Sequence, residues 1–240
     1  MIIERPGLSR GGADHGWLRS AHTFSFSDYY DPQWMGHSVL RVINEDRVAP
    51  GGGFSPHSHA NMEIISVVIS GKLAHKDSQG NAGVIEAGDV QWMSAGHGVQ
   101  HSEMNGSDVD PVHFLQIWIQ PDEVNAEPQY GQNHYSFEDR LNDWVTLAAK
   151  GGQDGGLPIR QDARLLGRGL RRNDATVQPV ERDRTYWLQM IAGEAEYRVN
   201  GGPAKTLFAG DAIGLTDEEG EINIRQLGED DVQMLWFDLP

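Results

Sequence analysis

The sequence predicts an all-β fold, a duplicated β-barrel with few short helices. Three observations carry that prediction. The apolar runs are short and rich in β-branched residues, and Gly and Asn/Asp clusters punctuate them. No long amphipathic helical pattern occurs anywhere. A turn motif also returns at fixed spacing. Ile69-Ser70-Gly71-Lys72-Leu73 resembles Ile191-Ala192-Gly193-Glu194-Ala195, Ala87-Gly88-Asp89 resembles Ala209-Gly210-Asp211, and 17 residues separate the turn glycines in both copies.

In chain order, residues 16–30 alternate around His22, Phe24 and Phe26, which predicts a strand and then an aromatic turn at Asp28–Pro32. Val39–Ile43 is a second strand, and Gly51-Gly52-Gly53 a loop before Pro56-His57-Ser58-His59. The β-branched run Ile64–Ile69 ends at Ser70-Gly71, and Lys72–His75 follows it. Asp77–Asn81 reads as a hairpin loop. Short strands follow at Val84-Ile85, Val90–Met93, His101–Glu103 and Phe114–Ile119. Residues 121–165, with Pro121, Pro128, Pro158 and a Gly-rich stretch at 151–156, read as a connector. It is expected to hold one or two short strands, including Val145–Leu147, and a helical turn near Phe137–Leu141. The β pattern is expected to resume at about residue 184. This divides the chain into an N-terminal unit, 1–130, and a C-terminal unit, 131–240.

A formal charge of −16 argues against nucleic acid or an anionic membrane as a direct partner. The chain has no cysteine, which removes disulfides, thiolate metal ligands and thiol nucleophiles. It has neither a secretory pattern at Met1–Pro6 nor an apolar run near the ~20 residues of a membrane span. The expectation is a soluble, cytoplasmic monomer.

Function is concentrated in two short segments. Residues i and i+2 of a strand share a face, so His57 and His59 can reach one point and His101 and Glu103 can reach it from a second strand. Three imidazoles and a carboxylate suit Fe(II), Cu(II), Ni(II), Mn(II) or Zn(II) better than Ca(II) or Mg(II). Such a set leaves positions open on a metal that takes five or six ligands. Glu63 is a rival for the carboxylate, since it would keep the inward parity if the strand ran on from His59. His97 reads as a rim residue, and His22, His75 and His113 as single, satisfied polar groups. The Trp residues and the Phe24/Phe26/Tyr29/Tyr30 cluster read as core. All ten histidines lie between His15 and His134, so the second unit holds no imidazole site.

Four segments bear a further resemblance: Asp14-His-Gly-Trp-Leu, His22-Thr-Phe-Ser-Phe-Ser-Asp-Tyr-Tyr-Asp-Pro, His57-Ser-His-Ala-Asn-Met-Glu and Gln91-Trp-Met-Ser-Ala-Gly-His-Gly-Val-Gln-His-Ser-Glu-Met. Together they resemble the pirin family of the cupin superfamily, and most closely the bacterial quercetinase-like pirins. Gly51, His57, His59 and Glu63 fit the first general cupin motif. The second is looser, with Gly88, Gly96, His101 and Asn105 present but Gly96 displaced. The resemblance implies a bicupin: two face-to-face β-barrels (double-stranded β-helices) with metal only in the first. It implies His57, His59, His101 and Glu103 as ligands to one divalent metal, Fe(II) first, and Glu103 as the catalytic group. The implied activity is quercetin 2,3-dioxygenase, with a flavonol and O2 as substrates. Eukaryotic pirins suggest the alternative of an iron-binding, redox-sensing regulatory protein without catalysis of its own.

Overall fold

A computed structural model describes residues 1–240. Each half of the chain builds a barrel from one seven-stranded and one four-stranded sheet. In the first, Gln129–His134, Asp89–Ser94, Glu63–Ser70, Val112–Ile119, Leu40–Val48, Leu18–His22 and Gly11–Asp14 lie side by side in that order. Its smaller sheet runs Gly53–His59, Val99–Asn105, Lys72–Asp77, Ala82–Glu86. The second barrel repeats the plan, with Ala175–Val180, Gly220–Leu227, Glu194–Val199 and Lys205–Phe208 as its smaller sheet. The bicupin architecture is present, and the turn glycines mark it. Gly71 and Gly193 have φ of 79° and 78°, Gly88 and Gly210 of 92° and 88°, left-handed values that favour glycine.

Alternation along the strands decides what each face does. On Val112–Ile119, Leu115, Ile117 and Ile119 point away from the first barrel's interior, as do Leu235, Phe237 and Leu239 on the second barrel's Val232–Leu239. These faces meet. The largest core, 22 buried residues, therefore lies between the two seven-stranded sheets. Each such side chain contributes about 1.5–3 kcal/mol on burial, so the barrels are one packed body.

The two interiors differ. The second barrel is filled by a continuous core of 16 residues. The first holds only two small apolar clusters, of seven and four residues. Between them a polar row crosses the seven-stranded sheet in cross-strand register: His22, Asn44, Gln116, Ser66 and Gln91. The equivalent register in the second barrel reads Leu166, Trp236, Leu188, Ile213.

Three features depart from the sequence-based expectation. The stretch 121–165 contains three strands, Gln129–His134, Val145–Lys150 and Leu157–Ile159, each a full member of a sheet. Gln129–His134 is polar and largely exposed, and it pairs at a sheet edge, so it carries no hydrophobic periodicity to read. The β pattern resumes at Arg164, not near 184, because Gly167, Arg168 and Gly169 interrupt the apolar alternation of Arg164–Leu170. The chain also begins with a strand, Ile2–Arg5, that pairs with Ala212–Thr216 of the second barrel. Sheet membership thus crosses the boundary near residue 130 in both directions. The helical turn at Glu138–Arg140 and the hairpin closed by Asp77 stand where expected; Asp77 Oδ1 accepts the backbone N–H groups of Gln79 and Asn81. No helix is long and apolar enough to cross a membrane.

Candidate metal centre

The metal-ligand candidates sit on adjacent antiparallel strands. His57 lies directly opposite His101, and His59 opposite Val99. A register shift between His101 and Glu103 puts Glu103 opposite Phe54 on one side, while on the other side it faces His75. The three imidazoles converge, with ring centroids 4.5 Å apart for His57 and His101, 4.8 Å for His57 and His59, and 4.9 Å for His59 and His101. One nitrogen from each lies within 4.8 Å of the others. Two nitrogens on one metal lie at most about 4.2 Å apart, so small side-chain rotations close the set.

The surroundings leave these rings with nitrogens free to act as ligands. His57 Nδ1 is 2.8 Å from the Ser55 carbonyl, which fixes the tautomer that leaves Nε2 with a lone pair. His59 Nε2 and both His101 nitrogens are buried and have no partner in the protein. Burial pushes His59 down to about 4, and His57 beside it adds to the shift. Burial pushes His101 down to about 3, and His57, His59 and His75 add to it while Asp77 opposes. Neutral, unpartnered imidazoles fit a divalent transition metal. His75 packs against His101 at 5.4 Å, stacks on Tyr130 and has Nε2 3.3 Å from Asp77 Oδ2.

Glu103 is buried on the same strand as His101 but stands outside the three-histidine group. Gln116 Nε2 donates to its Oε2 at 2.9 Å. Ser66 Oγ donates to Gln116 Oε1 at 2.6 Å and lies 3.3 Å from Glu103 Oε1. Burial raises this carboxyl to about 7, with the Gln116 and Ser66 hydrogen bonds opposing. The polar row across the sheet therefore aims Glu103. It and His57 both line a cavity of about 550 Å³.

Glu63 is elsewhere. The chain leaves the smaller sheet at His59, turns through Asn61 and enters the larger sheet at Glu63, so strand parity does not carry from one to the other. Its carboxylate accepts from Trp92 Nε1 at 2.7 Å, Ser94 Oγ at 2.6 Å and the Arg160 backbone N–H at 3.2 Å. Ile65 and Val67, of the same parity, belong to the core between the barrels.

The Pirin family model matches residues 6–119, and the model described as the quercetinase C-terminal cupin domain matches residues 146–239. A quercetin 2,3-dioxygenase from Escherichia coli K12 is 40% identical over 240 residues, covering 100% of this chain and 99% of that protein. The chain belongs to the pirin family. A pirin-like protein from Caulobacter vibrioides is 44% identical over 219 residues, 91% of this pirin and 92% of the relative. The crystal structure of the E. coli bacterial pirin YhhW in complex with nickel(II) superposes with a TM-score of 0.91 at 38% identity, covering 100% of this chain and 99% of that one.

In this pirin the other histidines singled out in the sequence are placed as follows. His97 is at the rim, 3.2 Å from Glu127, and His113 Nε2 is 2.9 Å from Glu45 Oε1. His22 faces the cavity with Nδ1 unpartnered, against the expectation of a satisfied polar group. Phe24 is core as expected, but Phe26, Tyr29, Trp17 and Trp118 line the cavity. Asn44, Asp46, Ser66 and Gln116 were not distinguished in the sequence. Their signal is a polar residue at an inward position of an otherwise apolar strand, which shows only once register is known.

Proposed function

We propose that this pirin is a metal-dependent quercetin 2,3-dioxygenase, opening the central ring of a flavonol with O2 and releasing carbon monoxide. The observation that carries the reading is the convergence of three imidazoles, with buried and unpartnered nitrogens on His59 and His101, beside an aromatic-walled cavity into which Glu103 faces. The nickel-bound E. coli pirin and the E. coli quercetin 2,3-dioxygenase support it from the side of the relatives. His57, His59, His101 and Glu103 would hold the ion, with Fe(II) the first candidate.

When bound, a divalent metal there favours the deprotonated form of a substrate hydroxyl beside it. The work of the protein is done by its own side chains. Gln116 and Ser66 hold the Glu103 carboxylate where it can accept that hydroxyl's proton. Phe26 and Trp118, edge to face at 5.4 Å, give the cavity flat apolar walls suited to a planar ring system. His75 and Tyr130 brace His101 from behind, so its ring stays aimed at the shared point.

The test is aerobic incubation of metal-loaded protein with quercetin, following flavonol absorbance and carbon monoxide. Loss of the absorbance with one carbon monoxide per flavonol is expected, and unchanged absorbance with every one of Fe, Ni, Cu, Mn and Zn sinks the reading. His57→Ala should remove both bound metal and turnover. Glu103→Gln should depress turnover, by about 10²-fold or more, far beyond its effect on metal content.

A further inference from the structure

The cavity that His57 and Glu103 face has a second polar feature, remote in sequence from the metal ligands. On strand Leu40–Val48, Asn44 and Asp46 both point inward, and each is almost fully buried. Asn44 Oδ1 and Asp46 Oδ1 have no hydrogen-bond partner in the protein. His22, the cross-strand neighbour of Asn44, likewise leaves its buried Nδ1 unpartnered. Buried polar groups are nearly always satisfied, so three orphans on one cavity wall ask for a ligand that supplies the missing partners. Two are carbonyl or carboxylate oxygens, so that ligand must bring hydroxyl or amine donors. The space beside them is bounded by aromatic rings: Phe26 lies 5.3 Å from His22 and 5.4 Å from Trp118, both edge to face. A hydroxyl both donates and accepts, so it serves the two oxygens and the His22 nitrogen in either tautomer, whereas an ammonium group can only donate. Flat apolar walls with neighbouring acceptors suit an aromatic ring that carries hydroxyls.

We propose that Asn44 and Asp46, with His22, form a recognition subsite for the dihydroxylated ring of an aromatic diol. Asn44 stands opposite Gln116, the residue that holds Glu103, so the subsite begins one strand away from the group that faces the reacting end of the substrate. A ligand spanning both would be held at two ends, which fixes its orientation in the cavity. This deepens the reading of the cavity as a flavonol site, and its first test does not depend on turnover.

That test is fluorescence titration of the metal-free protein with 4-methylcatechol, 4-methylphenol and toluene. Without metal, chelation cannot account for any preference. The diol should bind on the order of tenfold more tightly than the monophenol, and toluene more weakly still. Asn44→Leu and Asp46→Leu should each erase most of that preference, while Asp46→Asn, which keeps an acceptor oxygen, should retain it. Equal binding of diol and monophenol overturns the proposal, as does an unchanged preference in both leucine variants. If the leucine variants do not fold, as judged by circular dichroism, the wild-type comparison and Asp46→Asn decide the matter. The second test uses metal-loaded protein with flavonols that carry two or no hydroxyls on the pendant ring. KM should rise about tenfold when both are missing, with a smaller change in kcat. Diol preference without any turnover leaves the subsite standing and sinks the dioxygenase reading. Turnover without diol preference does the reverse.

Discussion

At the scale of the residue, environment rather than motif separates the two candidate carboxylates, Glu63 and Glu103. Glu63 sits at the matching place in the general cupin motif, yet it is spent on three hydrogen bonds at the seam between the barrels. Arg160, which donates its backbone N–H there, also reaches Ser94 Oγ through Nη1 at 2.7 Å. Burial raises the Glu63 carboxyl, and the Ser94, Trp92 and Arg160 contacts oppose that shift. Removing the carboxylate leaves Trp92 Nε1 and Ser94 Oγ buried without an acceptor, each costing about 1–3 kcal/mol. Glu63→Ala should therefore lower stability by about 3 kcal/mol while the metal bound per folded chain stays the same. Denaturant unfolding beside metal analysis of the refolded protein checks this. A loss of metal with stability intact would restore Glu63 as a ligand. Glu45 shows the opposite balance. Burial would raise its carboxyl, but hydrogen bonds from His113 and Arg10 and the charges of Arg10 and Arg47 hold it down at about 2. A depressed folded pKa means stability present above the unfolded value of about 4.3 and lost as pH falls toward 2. Glu45→Gln should flatten that part of the acid limb in urea midpoints taken from pH 6 to pH 2.5, and an unaltered limb would refute it.

At the scale of the element, the centre depends on how closely two strands approach. Gly53 opens the strand that carries His57 and His59, and it pairs with Met104. A Cβ at Gly53 would lie 2.5 Å from Met104 Sδ and 2.6 Å from the Glu103 carbonyl oxygen. The carbonyl belongs to backbone and yields little. Gly53→Ala should push the two strands apart at the Glu103 end and disturb the His57–His101 rung. Metal affinity should fall at least tenfold with the far-ultraviolet circular dichroism unchanged, and wild-type affinity would contradict this account. The same strands show what sequence alone can and cannot reveal. The i, i+2 parity of His57/His59 and His101/Glu103 was legible because it is local to one strand. The failure of that parity at Glu63 was not, because it depends on a change of sheet at Ala60–Met62. Gly71/Gly193 and Gly88/Gly210 announced the duplication, since left-handed turns constrain residue type. Gln129–His134 and Ile2–Arg5 stayed hidden because edge pairing leaves no apolar alternation. The cavity wall at Asn44 and Asp46 was hidden for a related reason: a polar residue inside a strand has meaning only when its cross-strand neighbours are known.

At the scale of the molecule, duplication has been used asymmetrically. One barrel keeps a polar interior, with His22, Asn44, Gln116 and Ser66 in a row and three imidazoles beside them. The other fills the equivalent register with Leu166, Trp236 and Leu188. A polar interior forgoes hydrophobic burial, so the first barrel is the weaker of the two by itself. The compensation is external. Its outward faces belong to the 22-residue core shared with the second barrel, and the chain's first strand is anchored in the second barrel's sheet. Trp187 is the clearest link: it belongs to the second barrel, yet its ring lies 4.9 Å from Phe24, 5.2 Å from His37 and 6.4 Å from Trp34. Truncating a buried tryptophan of this kind costs about 3–5 kcal/mol. If the barrels fold as one unit, Trp187→Ala should lower a single midpoint, and metal release and circular dichroism should report the same transition. If the second barrel is only a neighbour, metal release should keep its wild-type midpoint while the ellipticity splits into two steps. The shared core argues for the first outcome, because no surface of the metal barrel's larger sheet is free to face water once the second barrel unfolds without exposing Leu40, Ile43, Ile65, Ile117 and Ile119 together.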